Sequence, residues 1–166
     1  MDQNFTPSVF VTVENPISYM VPYKKGYLVS SIGSILPSDE WLGEINYVTF
    51  SNKTIKSQEL IKTKVERPVQ LKLGDLNGDK VDDIIVCGYG NNKGEFYWLD
   101  GKTKEKTSIK KSPGAINTQV LDYDKDGDLD IVTLFAQGVE AIIYFENNGK
   151  GTFTEKVLKQ YLPVQG

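Results

Sequence analysis

Two short segments of this chain are rich in aspartate and repeat the same spacing of oxygen-bearing side chains. The first acidic loop, residues 75–83, reads DLNGDKVDD, and the second acidic loop, residues 122–130, reads DYDKDGDLD. Both place an oxygen-bearing side chain at loop positions 1, 3, 5 and 9. Calcium is held in proteins by about six to eight oxygen ligands, several of them carboxylates, on a chain that curls around the ion. The spacing therefore predicts two calcium sites, 47 residues apart.

In each loop, positions 1, 3, 5 and 9 are expected to supply side-chain ligands, and position 7 a backbone carbonyl. Carboxylates about 4 Å apart repel each other by roughly 1 kcal/mol per pair in water, so a divalent ion would offset that repulsion. The alternative for either loop is a solvated acidic turn. The predicted ligands are Asp75, Asn77, Asp79, Val81 (carbonyl) and Asp83 in the first loop, and Asp122, Asp124, Asp126, Asp128 (carbonyl) and Asp130 in the second.

The two predicted sites are not equal. Asn77 is a neutral ligand at position 3 of the first loop, where the second loop has a carboxylate. Position 6 is Gly127 in the second loop but Lys80 in the first, and a sharp bend favours the permissive backbone of glycine. The first site is therefore expected to be the weaker one. Neither loop fits an EF-hand or dockerin site, because position 12, where an EF-hand has a bidentate acid, is Val86 or Thr133.

The residues around the loops repeat a pattern of four short strands. In the second unit we predict strands at 69–73, 83–88, 94–99 and 105–111, and in the third unit at 116–121, 130–135, 140–145 and 153–159. The run after each loop is continuous and apolar, which is typical of a strand buried on both faces. Each fourth strand is polar and suits an outer edge. Four strands per about 45 residues is the period of a β-propeller blade.

The N-terminal third fits the same template without an acidic loop. Strands are predicted at 10–13, 27–33, 43–50 and 55–62, with residues 14–19 as the first connection. The predicted fold is all-β: a β-propeller segment of about three four-stranded antiparallel blades, spanning 1–65, 66–112 and 113–166. Three blades would leave apolar end faces open, so self-association or a longer parent propeller is expected. The residues expected on those faces are Val9, Val11, Tyr27 and Val29 at one end, and Ile131, Ile142 and Tyr144 at the other.

Composition limits the other functions. The net charge is −3 with scattered lysines, which argues against a nucleic-acid surface. No apolar run approaches the ~20 residues of a membrane helix, and residues 1–4 lack the features of a signal peptide. Histidine is absent, which removes the commonest general base and zinc ligand, so a binding function is favoured over an enzyme. The one cysteine, Cys87, is interpreted as a buried strand residue.

Aromatic residues divide into two groups. Third strands carry Tyr97, Trp98, Tyr144 and Phe145, which are predicted to pack blade against blade. Trp41 lies in a predicted loop and is the better candidate for contact with a ligand.

Residues 74–86 and 122–132, with the closing segment 144–153, resemble the FG-GAP/VCBS repeat family. That family includes the calcium-binding blades of integrin α-subunit propellers and many secreted bacterial proteins. The resemblance covers residues 66–160, whereas the first 65 residues match in strand pattern alone. It implies calcium in the blade loops and a place outside the cytoplasm: extracellular, periplasmic or at the cell surface. The implied role is the binding or scaffolding of a protein or glycan. The alternative is a non-catalytic part of a secreted polysaccharide-active or redox enzyme whose active site lies elsewhere.

Overall fold

The computed structural model describes residues 15–52 and 54–161. Within these ranges the chain forms twelve strands and no helix, so none of the described residues lie in a helix that could cross a membrane. The first sheet contains β1 (Ile17–Tyr23), β2 (Gly26–Ser31), β3 (Gly43–Ser51) and β4 (Thr54–Val65); the second contains β5 (Pro68–Gly74), β6 (Asp83–Gly88), β7 (Glu95–Leu99) and β8 (Lys106–Lys110); the third contains β9 (Ala115–Leu121), β10 (Asp130–Gln137), β11 (Val139–Asn147) and β12 (Phe153–Gln160).

Each sheet is a four-stranded antiparallel blade whose strands pair in chain order. The first strands of successive blades are neighbours, since β5 contacts both β1 and β9. A buried side chain reinforces the second of these contacts: Gln70 of β5 accepts a hydrogen bond from the backbone N–H of Thr118 at 2.6 Å. The three described blades do not close into a ring. The predicted fold class, an all-β partial propeller, is confirmed.

The second blade is covered on both faces, and its central strand shows why. Side chains alternate between the faces of a strand. Ile84 and Val86 of β6 therefore pack toward the first blade, in a cluster with Leu28 and Ile45. Ile85 and Cys87 pack toward the third blade. All six residues of β6 are buried, as its continuous apolar sequence predicted.

Cys87 and most of the aromatic residues of the third strands are buried in the core between blades. Burial raises the pKa of the Cys87 thiol to about 12, which agrees with the structural interpretation of this residue. Tyr97 packs against the first blade, whereas Trp98 and Phe145 meet between the second and third blades. Tyr144 is also buried, but it belongs to neither of these clusters.

The third blade is covered on one face only by the described residues. Ile131 and Phe135 of β10 are fully buried against the second blade, but Leu134 on the opposite face is 36% exposed. The prediction that this strand is buried on both faces is therefore wrong, because no fourth blade among residues 15–52 and 54–161 covers its second face. Ile131 was expected on the open face and instead belongs to the core, while Ile142 is half-buried.

The first described strand of the first blade lies where a connection was predicted. Its first strand is Ile17–Tyr23, which occupies part of the segment expected to connect two strands. A tight turn at Lys24 and Lys25 joins it to β2, and Lys24 adopts a positive φ of 50° there. The predicted strand at 10–13, with Val9 and Val11, lies outside the described residues. Tyr27 and Val29, expected on the open face of this blade, are half-buried.

Candidate metal centre

The two acidic loops occupy equivalent places, since the first joins β5 to β6 and the second joins β9 to β10. Their backbones curl in the same way. Positions 4 and 6 have positive φ in both: 78° at Gly78 and 66° at Lys80 in the first loop, and 67° at Lys125 and 100° at Gly127 in the second. Glycine and lysine have thus exchanged places. Lys80 adopts the left-handed conformation at position 6, so the first loop makes the same bend without a glycine there.

The last aspartate of each loop is buried and ties the loop to the following hairpin. Asp83 accepts hydrogen bonds from the backbone N–H of Leu76 at 2.9 Å and of Gly101 at 2.7 Å. Asp130 accepts them in the same pattern, from Tyr123 at 3.0 Å and Asn147 at 2.8 Å. The aspartate at position 9 therefore organises the loop through its hydrogen bonds, whether or not it also binds an ion. The spacing of the sequence indicated ion binding only.

The second loop brings its carboxylates together. Asp122, Asp124 and Asp130 each offer an oxygen, and these atoms all lie within 4.8 Å of one another. Asp126 lies outside this group, and one of its oxygens accepts the N–H of Asp128 at 3.1 Å. One side-chain oxygen of Asp128 is buried without a hydrogen-bond partner among the described residues. Carboxylates crowded in this way favour a hard divalent cation such as calcium.

Tyr144 belongs to this site, although its place on a third strand predicted only packing. Its hydroxyl donates to Asp130 at 3.0 Å and lies 3.3 Å from an oxygen of Asp124. Its ring rests on that of Tyr123 with centroids 4.6 Å apart, which buries it on an otherwise open face. Tyr123 occupies position 2 of the loop, next to the predicted ligands. An aromatic residue at that place is the sequence feature that could have indicated an aromatic partner for the loop.

The first loop distributes its polar atoms differently. Asp75 accepts three backbone N–H groups, from Gly78, Asp79 and Lys80, at 2.7–3.0 Å. Asn77 accepts the N–H of Asp79 at 3.0 Å. Asp79 accepts the N–H of Val81 at 2.9 Å and forms an ion pair with Lys102 at the same distance. Within residues 15–52 and 54–161, a mutual carboxylate cluster forms in the second loop and not in the first.

Burial is the main cause of raised pKa values at two aspartates of the loops. Burial raises the pKa of Asp83, against the opposing effect of the backbone N–H groups of Leu76 and Gly101. Burial also raises the pKa of Asp128, and the charges of Asp126 and Asp130 add to the shift. In both residues burial disfavours the charged carboxylate, and the charges of nearby aspartates add to that effect.

A single side chain connects the two loops. Asn147, which is 4% exposed, donates through its amide nitrogen to the carbonyl of Leu76 at 2.8 Å and to that of Leu129 at 3.0 Å. Its amide oxygen accepts the N–H groups of Asn148 and Gly151. The loops of the second and third blades therefore lie side by side, held by one satisfied buried amide. Sequence spacing gave no reason to single out this residue.

In a comparison with protein families, residues 75–133 match the FG-GAP-like repeat. The matched segment begins at the first residue of the first loop and ends in β10, so it contains both acidic loops and the strands between them. Comparison with curated proteins gives no match, and comparison with solved structures gives none.

Proposed function

We propose, from the FG-GAP-like repeat that residues 75–133 form, that this chain is a calcium-stabilised propeller module that binds or scaffolds a partner outside the cytoplasm. The observation that carries the proposal is the group of three carboxylates in the second loop, Asp122, Asp124 and Asp130, within 4.8 Å of one another. No function in catalysis is needed to account for them.

The donor set fits calcium better than a softer metal. It consists of carboxylates on a curled loop, and calcium accepts many oxygen ligands in flexible geometry. The three carboxylates that lie within 4.8 Å of one another support the fit, because a cation among them would offset their mutual repulsion. Asp122, Asp124, Asp126 and Asp130 would hold the ion by their side chains and Asp128 by its carbonyl. In the first loop Asp75, Asn77, Asp79 and Asp83 would do so, with the carbonyl of Val81.

The ion's role would be structural. Each loop connects the first two strands of a blade, and Asn147 joins both loops at the contact between blades. An ion that fixes a loop would therefore also stiffen the interface between the second and third blades. Calcium sites of extracellular modules work at about 10⁻⁴–10⁻³ M, a range available only outside the cytoplasm. Three of the proposed ligands of the second loop, Asp122, Asp124 and Asp126, are exposed, which suits this weak class.

The proposed partner is a protein or a glycan, and one cleft favours a glycan. Trp41 is 48% exposed at the edge of a cleft of about 490 Å³, which Lys62 and Lys64 also line, together with the ion pair of Lys106 and Glu66. An exposed indole offers a flat face for a sugar ring, and ammonium groups donate to hydroxyls and carboxylates. Replacing Trp41 with Ala should remove binding of an acidic oligosaccharide, measured by calorimetry, without changing the melting temperature.

We also propose self-association, or assembly with further blades, through the open face of the third blade. Leu121 and Leu134 are 40% and 36% exposed there, beside the half-buried Val132 and Ile142. Apolar patches of this kind usually mark contact sites. Light scattering at tens of micromolar should detect a species larger than one chain, and Leu134→Lys should reduce its mass. A monodisperse monomer would refute this part of the proposal.

Thermal melting in calcium and in EGTA tests the proposed function. An ion that binds the folded state alone stabilises it by about 2.7 kcal/mol at a hundredfold excess over Kd, which corresponds to roughly 5–10 °C for a chain of this size. A double variant, Asp122→Asn with Asp124→Asn, should lose most of this shift. Equal melting temperatures in calcium and in EGTA would contradict the proposal.

A further inference from the structure

The ammonium group of a lysine in this chain contacts the first loop. The ammonium of Lys102 lies 2.9 Å from Oδ2 of Asp79 and donates to the backbone carbonyl of the same residue at 3.3 Å. Lys102 follows β7 in the chain, 23 residues from Asp79. An oxygen proposed as a calcium ligand is therefore paired with a side chain from a neighbouring hairpin turn.

The turn that carries Lys102 is built against the loop. One oxygen of Asp100 accepts the N–H groups of Lys102 and Thr103 at 2.8 and 2.7 Å, which fixes the turn. Its other oxygen accepts the side-chain amide of Asn77 at 3.1 Å. Asp100 thus holds both the turn and a second proposed ligand of the first loop. The position of Lys102 follows from this arrangement and does not depend on its own ion pair.

The second loop offers a contrast within the same molecule. The equivalent hairpin turn there carries Lys150, which forms no ion pair with the described residues of the second loop. Three carboxylates gather in that loop, whereas those of the first loop do not. The loops share a backbone conformation, so the difference between them lies in the side chains and in the turn.

We propose that Lys102 is a tethered competitor of calcium: its ammonium occupies the first loop when calcium is scarce and must leave before the ion can bind. This inference rests on the proposed calcium function. A tethered group acts at a high effective concentration, of order millimolar for a short connection. The Lys102 side chain is 54% exposed, so it can swing into solvent when displaced. Calcium would therefore fill the second loop first and the first loop only at higher concentration.

Calcium titration of a chain whose second loop is disabled tests this inference. In the background Asp122→Asn with Asp124→Asn, calorimetry with calcium chloride reads the first loop alone. Lys102→Met should tighten its Kd about three- to tenfold, because it removes both a competing ion pair and a positive charge beside the ion. Lys102→Arg keeps the charge and should leave the Kd near that of the parent. Lys150→Met is the matched control and should also leave it unchanged.

The outcomes separate this inference from the proposed function. If the unaltered chain binds no calcium at either loop, the proposed function fails. If the second loop binds but the first binds no more tightly in Lys102→Met than in the parent, the inference about Lys102 is overturned and the proposed function stands. Circular dichroism of each variant confirms that the sheets have formed.

Discussion

Asp130 should be essential for the stability of the fold even when no calcium is present. The carboxylate is 1% exposed, and each of its oxygens accepts a backbone N–H, from Tyr123 and from Asn147. Tyr144 donates to it as well. Asp130→Asn keeps the shape of the side chain but replaces one acceptor oxygen with a donor. One of the two backbone N–H groups then faces another donor and loses its partner.

The expected cost follows from these contacts. A hydrogen bond to a charged group contributes about 1.5–3 kcal/mol, and a buried group left unpaired adds a further penalty of about 1–3 kcal/mol. Partial relaxation of the loop reduces the sum, so we expect Asp130→Asn to lower the free energy of unfolding by about 2–4 kcal/mol. For a chain of this length that is a fall in melting temperature of roughly 4–16 °C. Urea unfolding in EDTA, followed by the fluorescence of the buried Trp98, measures it.

Asp122→Asn is the matched control. Asp122 is exposed and accepts one long hydrogen bond, 3.2 Å from the N–H of Gly127. In EDTA this variant should therefore stay within about 0.5 kcal/mol of the parent, as surface substitutions do. In calcium, both variants should lose most of the stabilisation that the second loop gains from the ion. Equal stability of the two variants in EDTA would show that the buried hydrogen bonds of Asp130 do not organise the loop, and would refute this reasoning.

Three other perturbations have definite expected results. Gly127→Ala should lower the free energy of unfolding in urea by about 1–2 kcal/mol, because the residue has a φ of 100°. No atom lies near the added methyl group, so the strain is in the backbone alone. An unchanged urea midpoint would contradict this. Asn147→Ala should accelerate amide hydrogen exchange in both acidic loops together, because its side chain bonds to Leu76 and Leu129; protection lost in one loop only would argue against the bridge. Cys87 should not react with a thiol reagent at pH 8 until the chain is unfolded, since burial keeps its pKa at about 12; rapid labelling of the folded protein would show that the strand opens.

Strand pattern and turn chemistry predicted the second and third blades closely, because each strand lies between strong local signals. The predicted run 83–88 is β6 residue for residue, and the predicted run 153–159 differs from β12 by one residue. The first blade was predicted less well. Its first strand, Ile17–Tyr23, contains Pro22 and follows Pro16, and proline is a poor signal for a strand.

The candidate site could be predicted only in part from the sequence. Spacing identified the aspartates, but it could not separate those that meet, such as Asp122 and Asp124, from Asp126, which bonds to its own loop. Contacts between distant residues were also invisible. Lys102 reaches the first loop from the following hairpin, and Asn147 reaches it from the next blade, 71 residues away from Leu76. Such contacts depend on how blades pack and not on any local pattern.

A crystal structure of the chain grown in millimolar calcium tests directly whether the second loop binds the ion. Anomalous scattering identifies the ion, and the distances to its ligands identify the site. We expect a calcium ion in the second loop, with oxygens of Asp122, Asp124 and Asp130 at about 2.3–2.6 Å. A well-ordered second loop without an ion, with its carboxylates satisfied by water and backbone N–H groups, would contradict the account.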